Sequence, residues 1–424
     1  MNETATATVA TAAPRGLGSA YWRVWVASTI SNLGDGVRFV AMPLLAAHVT
    51  RDPRLVSLVT IAGAAPWLLF SLISGALVDR WDRRRIMWIA DAFRTAVVGA
   101  FTVAVAVGKP SIALIAGVAF LLGTAETMFD NASQTILPAI VGRQQLSTAN
   151  GRLYSGQIIT QQFAGPPLGG LLFGLAIAAP FAVDGASFLA AAVLVLSLTG
   201  DFREPKDANA TPTRLRHEIG EGVRWLARHR VLRALAGMLG LMNLMSTATE
   251  SILVLWALEV LHLNSTGFGL LSLGFAGGSL LGSLTAARVA KALGEGRTLY
   301  LSVLLMVGSN LGAWATTNAY VAGTAFALAG FAALVWNVIT VSLRQEIIPP
   351  RLLGRVNSAY RFLGWGSMPI GAAFGGLLAG AFGLRSPFLA AAVAIAVCGV
   401  LMARAVNPRS ITAARAEHQA AIPA

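Results

Sequence analysis

Apolar positions along this chain come in long unbroken runs, not in the two-residue or 3.6-residue periods of half-buried soluble elements. Twelve runs are long enough to cross a bilayer, which takes about 20 mainly apolar residues. They cover residues 22–48, 54–78, 86–107, 111–137, 151–176, 179–200, 232–260, 266–290, 297–316, 319–345, 356–382 and 385–406. The pattern predicts an all-α membrane protein of twelve transmembrane helices. An even count returns both termini to one side. The longest polar stretch, Asp201–Arg230, divides the runs six and six. The expected organisation is a tail over 1–21, a six-helix half over 22–200, a linker over 201–231, a second half over 232–406 and a tail over 407–424. Within the linker, Leu215, Ile219, Val223 and Leu226 recur at helical spacing, while Arg214, Arg216, Glu218, Glu221, Arg224 and Arg228 take other faces. Such a segment is an amphipathic helix lying on the membrane surface or a solvated linker helix.

Composition supports this reading. A mean hydropathy of +0.66 with 12% charged residues excludes an ordinary soluble enzyme. The net charge of +13 is segregated by side, not gathered on a soluble face, so nucleic acid is not an expected partner. Of 32 Lys and Arg, Arg51, Arg54, Lys109 and Arg385 fall in links on one side and Arg38 falls within a span. The other 27 lie in segments, or at span ends, on the opposite side. Basic loops stay cytoplasmic, which puts both termini there and the chain in the plasma (inner) membrane. The Ala/Thr-rich residues 1–20 carry no signal-peptide pattern, so the first run is expected to be a retained span. Cys398 is the single cysteine and the five His show no ligand spacing, so no metal site is expected. A phosphate-binding Gly-x-x-x-x-Gly-Lys-Ser/Thr loop is absent, and no nucleophile stands with a base. Neither a cofactor nor enzymatic activity is expected.

The two halves echo each other. Gly75-Ala-Leu-Val and Gly282-Ser-Leu-Thr lie 207 residues apart, as do Ala149-Asn150 and Val356-Asn357. Gly165-Pro-Pro-Leu-Gly-Gly-Leu-Leu-Phe-Gly and Gly371-Ala-Ala-Phe-Gly-Gly-Leu-Leu-Ala-Gly lie 206 apart. Gln134-Thr-Ile-Leu-Pro138 and Gln345-Glu-Ile-Ile-Pro349 form a looser pair. Repeats of this kind make two pseudo-symmetric transporter halves with a binding site between them.

The short charged link after the second run, Gly75-Ala-Leu-Val-Asp-Arg-Trp-Asp-Arg-Arg-Arg85, resembles the signature loop of the major facilitator superfamily. Gly165-Pro166-Pro167-Leu168-Gly169-Gly170 is similar to the antiporter motif of its drug:proton branches. Asn32-Leu-Gly-Asp35, Asp91-x-x-Arg94 and Ala149-Asn150 resemble the branch that holds macrolide-efflux and enterobactin-exporter proteins. The resemblance implies alternating access and export of a small amphipathic compound (a drug, antibiotic or siderophore) against protons. It also implies a latch in which Gly75, Asp79, Arg80, Arg83 and Arg84 meet the start of span eleven, near Asn357-Ser358. An acid at a span end suits the positive N-terminus of a neighbouring helix; a simple positive-inside anchor is the bland reading. Two departures stand out. Ala286 occupies the second-half counterpart of Asp79, and Leu121-Leu-Gly-Thr-Ala-Glu126 replaces the usual span-four arginine.

Ionisable residues inside spans are expensive and mark functional candidates. Asp35 and Arg38 share a face of helix one, as a proton site with its arginine partner or as a structural ion pair. Glu126 and Asp130 share a face of span four, a spacing that suits reversible protonation. Glu250 is the one acid deep in span seven, beside Ser246 and Thr249. Asp35, Glu126, Glu250 and Asp130 are therefore the expected proton-coupling groups. Asp184 is expected to face the outer interface and to be structural. Gly165, Pro166, Pro167, Gly169 and Gly170 are expected to kink and closely pack span five. Trp67, Phe70, Phe163, Trp336, Trp365 and Phe374 are candidates for an aromatic cavity wall, fewer than half of them lining it. The expected partners are a small-molecule substrate, protons and lipid, with the chain acting as a monomer. An importer or uniporter, a channel and a non-transporting sensor are the competing functions.

Overall fold

The computed structural model describes residues 16–78, 81–200, 202, 223–403, 405–407, 410, 412, 413 and 415, and all regular structure among them is helical. The elements are α1 (Gly18–Val49), α2 (Pro53–Val78), α3 (Arg83–Ala106), α4 (Ile112–Ile140), α5 (Leu146–Gln157), a π-helical segment (Ile158–Ala164), α6 (Gly165–Leu175) and α7 (Ala179–Leu196). After the linker come α8 (223–228), α9 (Arg230–Glu250), α10 (Leu253–Glu259), α11 (Ser265–Leu293), α12 (Glu295–Ala315), α13 (Ala319–Ile347), α14 (Pro350–Phe382) and α15 (Ser386–Ala403).

Helix ends are punctuated by ordinary capping chemistry. Asp82 accepts from the backbone N of Arg84 at 2.9 Å and opens α3. Asn264 accepts from Gly267 N at 2.8 Å and opens α11, and Asn318 accepts from Tyr320 N at 2.9 Å and opens α13. Each satisfies a first-turn N–H that the helix itself leaves without a partner. Gly294, at φ +80°, turns the chain from α11 directly into α12 in a conformation that disfavours a side chain.

Among the described residues, ten helices are long and apolar enough to cross a bilayer. The expected first and fifth spans differ for local reasons. α1 is 32 residues long but carries Arg23, Asp35 and Arg38. The fifth span is divided into pieces of 12, 7 and 11 residues. Pro166 and Pro167 have no N–H to give the carbonyls of Gln162 and Phe163, so the regular ladder cannot run through, and the turn before them widens to π geometry.

The packing partners fall into a repeating order. α1 and α3 pack on α7, α2 and α3 on α4, and α1 on α6. Correspondingly, α9 and α12 pack on α15, α11 and α12 on α13, and α9 on α14. Contact between the two groups runs through α2 with α14 and α6 with α11.

The apolar core is continuous at one end and divided at the other. At the end carrying the links around residues 50, 178, 262 and 384, Leu45, Phe101 and Phe181 share one cluster with Trp256, Phe268 and Phe388. Here Gly376 of α14 packs on Ser57 and on the backbone of Pro53, Gly380 meets Arg54, and Arg51 pairs with Glu259 at 3.8 Å. At the opposite end Met87, Phe129 and Val195 form one cluster, and Leu235, Trp336 and Tyr360 form another.

The expected linker helix is described only from residue 223, where Leu226 is buried in the second of those clusters and Val223 is exposed. Of the expected latch, Asp79 and Arg80 lie outside the described residues. Arg84 donates to the carbonyls of Val195 and Leu196 at the end of α7, where a cation also suits the helix dipole.

Candidate transport site

Arg38 is the centre of a buried polar cluster between α1, α4 and α7. Its guanidinium pairs with Asp35 on the same helix, with Glu126 of α4 at 3.5 Å and with Asp184 of α7 at 3.2 Å. The i, i+3 spacing set up the first of these pairs, and the expected pairing of Asp35 with Arg38 is present. The expectation for Asp184 is corrected: its side chain has no exposed surface and faces Arg38, not the outer interface. Its depth comes from close approach of α1 and α7. A side chain at Gly34 would overlap the Asp184 and Ser187 side chains, so only glycine lets α7 bring an acid this near. Glu126 keeps 24% of its side-chain surface open, against none for Asp184.

A second arginine lies alongside. Arg94 of α3, expected near the cytoplasmic end of its span, is 1% exposed within the bundle. It pairs with Asp91 at 3.5 Å. Its guanidinium is also held between the rings of Phe129 and Phe188, at 5.1 and 5.0 Å. Stacking on two aromatic faces offsets part of the cost of burying a cation. Asp130, one turn beyond Glu126 on α4, lies in the field of Glu126, Arg94 and Asp91. Five carboxylates thus share the interior of one helix group with two guanidiniums.

The cluster has no charged counterpart in the other group. At the repeat spacing of 207 residues, Asp35, Arg38, Glu126 and Asp184 correspond to Met242, Met245, Ala333 and Ala391.

That second group instead supplies most of a cavity of about 490 Å³. Phe39, Gln161, Gln162 and Pro166 reach it from the first group, and the remaining lining comes from α9 to α15. Asn243, Ser246, Thr249 and Glu250 present one polar strip of α9, while Phe268, Phe275 and Phe326 form an apolar wall. Glu250 ends α9, just before the break at Ser251–Ile252, and is open to the cavity. Of the four expected proton-coupling acids it is the one that opens there; the other three belong to the Arg38 cluster. None of the six expected wall aromatics lines the cavity. Trp67 and Trp365 instead meet edge to face at 4.1 Å between α2 and α14, and Trp336 is 2% exposed in a core.

The Gly-Pro-Pro motif lies between cluster and cavity. A side chain at Gly165 would strike the backbone of Gly36, one residue after Asp35. Facing the other way, Gly170 lies against Ser265, and Pro166 against Gly269 of α11. The motif therefore forms part of the seam between the two helix groups.

Residues 11–423 match the family model described as transmembrane secretion effector. The chain is 28% identical over 399 residues to the multidrug efflux pump Tap of Mycolicibacterium fortuitum, covering 88% of this chain and 93% of that protein. It is 23% identical over 396 residues to macrolide efflux protein A of Streptococcus pyogenes, covering 91% and 96%. Among solved structures, a bacterial homologue of the iron transporter ferroportin in an inward-facing state superposes with a TM-score of 0.74 at 15% identity, covering 92% of this chain and 98% of that one. A likeness at that identity shows the fold.

Proposed function

The chain belongs to the transmembrane secretion effector family of the major facilitator superfamily, and on that premise we propose that it exports a small amphipathic compound in exchange for protons. Efflux is supported by the names of the relatives, a multidrug pump and a macrolide exporter. The transporter comprises twelve spans in two six-helix halves, residues 22–200 and 232–406. The repeated order of packing partners supports that division. The working unit in this reading is a monomer.

The observation that carries proton coupling is the surplus of acid in the Arg38 cluster. With all five carboxylates ionised, two guanidiniums leave three negative charges without balance in a low-dielectric interior. Protons are the natural species to make up that difference. In this reading a proton enters at Glu126, which is half-buried and pairs with Arg38, and Asp35, Asp184 and Asp130 share it. When Glu126 is neutralised, the Arg38 guanidinium loses its hold on α4 and settles on α1 and α7. Two unit charges about 4 Å apart interact by about 4 kcal/mol at an effective dielectric of about 20. That is comparable to the few kcal/mol that separate conformers of a two-state protein. Proton binding is thereby able to bias which end of the transporter is open.

The continuous core at one end and the divided core at the other fit an inward-facing state, with both termini on the cytoplasmic side and the divided end towards the cytoplasm. The Gly75–Arg84 latch would form in the opposite state, when the cytoplasmic ends of α2 and α14 come together. Asp79→Asn should then insert normally and transport poorly.

The test is proton flux in everted vesicles energised by respiration and challenged with macrolides, dyes and siderophores. Proton release triggered by a compound in wild type, and lost in Asp35→Asn or Glu126→Gln, is the expected result. Transport without any proton movement would remove the coupling and leave a uniporter.

A further inference from the structure

Glu250 differs from every other acid in the membrane interior. The five acids of the cluster are gathered around Arg38 and Arg94, whereas no Lys, Arg or His among the described residues pairs with Glu250. It is also the one charged residue in the cavity lining. Neither Asp35, Arg38, Glu126 nor Asp184 lines that cavity, so Glu250 is set apart from the proton machinery by half of the molecule as well as by chemistry.

Its surroundings are arranged like a binding site. Asn243 and Ser246 precede it by seven and four residues on α9 and so share its face, giving one polar strip. Opposite lies the aromatic wall of Phe268, Phe275 and Phe326. A volume of about 490 Å³ holds a drug-sized molecule, and cavities of this size are usually apolar with a few placed polar groups. Glu250 is exposed at the cavity wall without a cation of its own, and a cation that arrives with an apolar body would find both its counter-charge and an apolar surface there.

Resting on the export reading above, we propose that Glu250 is a cargo-recognising residue: the cavity takes an amphipathic monocation whose charged group pairs with Glu250 and whose apolar body lies on the phenylalanine wall. The two halves then divide the labour. The N-terminal half handles protons and the C-terminal half reads the charge of the cargo. Aromatic faces add to the selectivity, because their quadrupole also attracts cations.

The test is equilibrium dialysis with the full chain purified in detergent at one fixed pH. The probes are tetraphenylphosphonium, a cation with an apolar shell, and triphenylphosphine oxide, a neutral molecule of similar shape. Wild type should bind the cation more tightly than the neutral probe. Glu250→Gln should weaken cation binding by about tenfold or more, the scale expected for a lost charged contact. It should leave the neutral probe within about twofold, which also reports that the cavity is folded. Glu250→Asp keeps the charge and should retain the preference. Equal binding of both probes by wild type, undiminished cation binding by Glu250→Gln, or no saturable cation binding would each overturn the proposal. Because dialysis needs no proton gradient, vesicles that release no protons together with an intact cation preference would discard the coupling and keep this assignment.

Discussion

At the scale of single residues, Arg38 is the side chain on which most depends. It answers three carboxylates at once, so Arg38→Met would leave Asp35, Glu126 and Asp184 buried without their counter-charge. Breaking a buried pair from one side costs about 3–5 kcal/mol, and the variant should melt well below wild type in a thermal scan of the purified protein. Asp184→Asn removes one acid from a cluster with acid to spare. It should melt close to wild type yet release fewer protons per cargo in the vesicle assay; unchanged release would make Asp184 a structural partner. The Asp35–Arg38 pair was legible because helical spacing alone brings the two together. Asp184 was not, because it lies six residues into α7 and looks interfacial by position. Its depth follows from the approach of α7 to Gly34, a tertiary contact that no local pattern encodes. Arg94 was missed for a related reason. Its burial depends on Phe129 and Phe188, which stand far from it in the chain.

At the scale of elements, the fifth span carries the clearest consequence. Pro166 and Pro167 interrupt the backbone ladder, and the preceding turn responds with seven residues of π helix. Gly165 and Gly170 then allow this span to lie against α1 on one side and α11 on the other. Gly165→Val would place a branched side chain in the backbone of Gly36. The expected outcome is loss of transport from protein that still reaches the membrane, read by surface labelling alongside efflux. Gly277→Ala, where nothing crowds an added methyl group, should be silent in the same assay. The kink could be read from the two prolines, but the π segment could not, because nothing in its side chains Ile158–Ala164 distinguishes it from ordinary helix. The aromatic wall was misread at this scale too. Which phenylalanines face the cavity is set by rotation of α11 and α13 against their neighbours, and long uniformly apolar runs carry little information about rotation.

At the scale of the whole molecule, the apolar core joins the two helix groups at one end and is divided between them at the other. The joined end should be lockable. Ser57 and Gly376 are in direct contact across the seam, and Cys398 is the single native cysteine. In a Cys398→Ser background, Ser57→Cys with Gly376→Cys should form an oxidisable bridge that stops transport, with activity returning on reduction. Full transport by the oxidised protein would mean that this seam does not open. Removing the Arg51–Glu259 pair should matter little, since exposed ion pairs contribute about 0–1 kcal/mol. The helical class was legible at this scale because it is written in long apolar runs. Which end carries the continuous core was not, since apolar runs alone leave that open. The proposed inward-facing state has an electrical consequence. Where water fills the open side, the transmembrane voltage drops mainly across the thin closed layer instead of the full bilayer. Each elementary charge carried through that layer exchanges about 2.3 kcal/mol with the field per 100 mV. A monocation leaving as one proton enters moves no net charge, so that exchange would run on the pH gradient alone, whereas a neutral cargo would draw on the voltage as well.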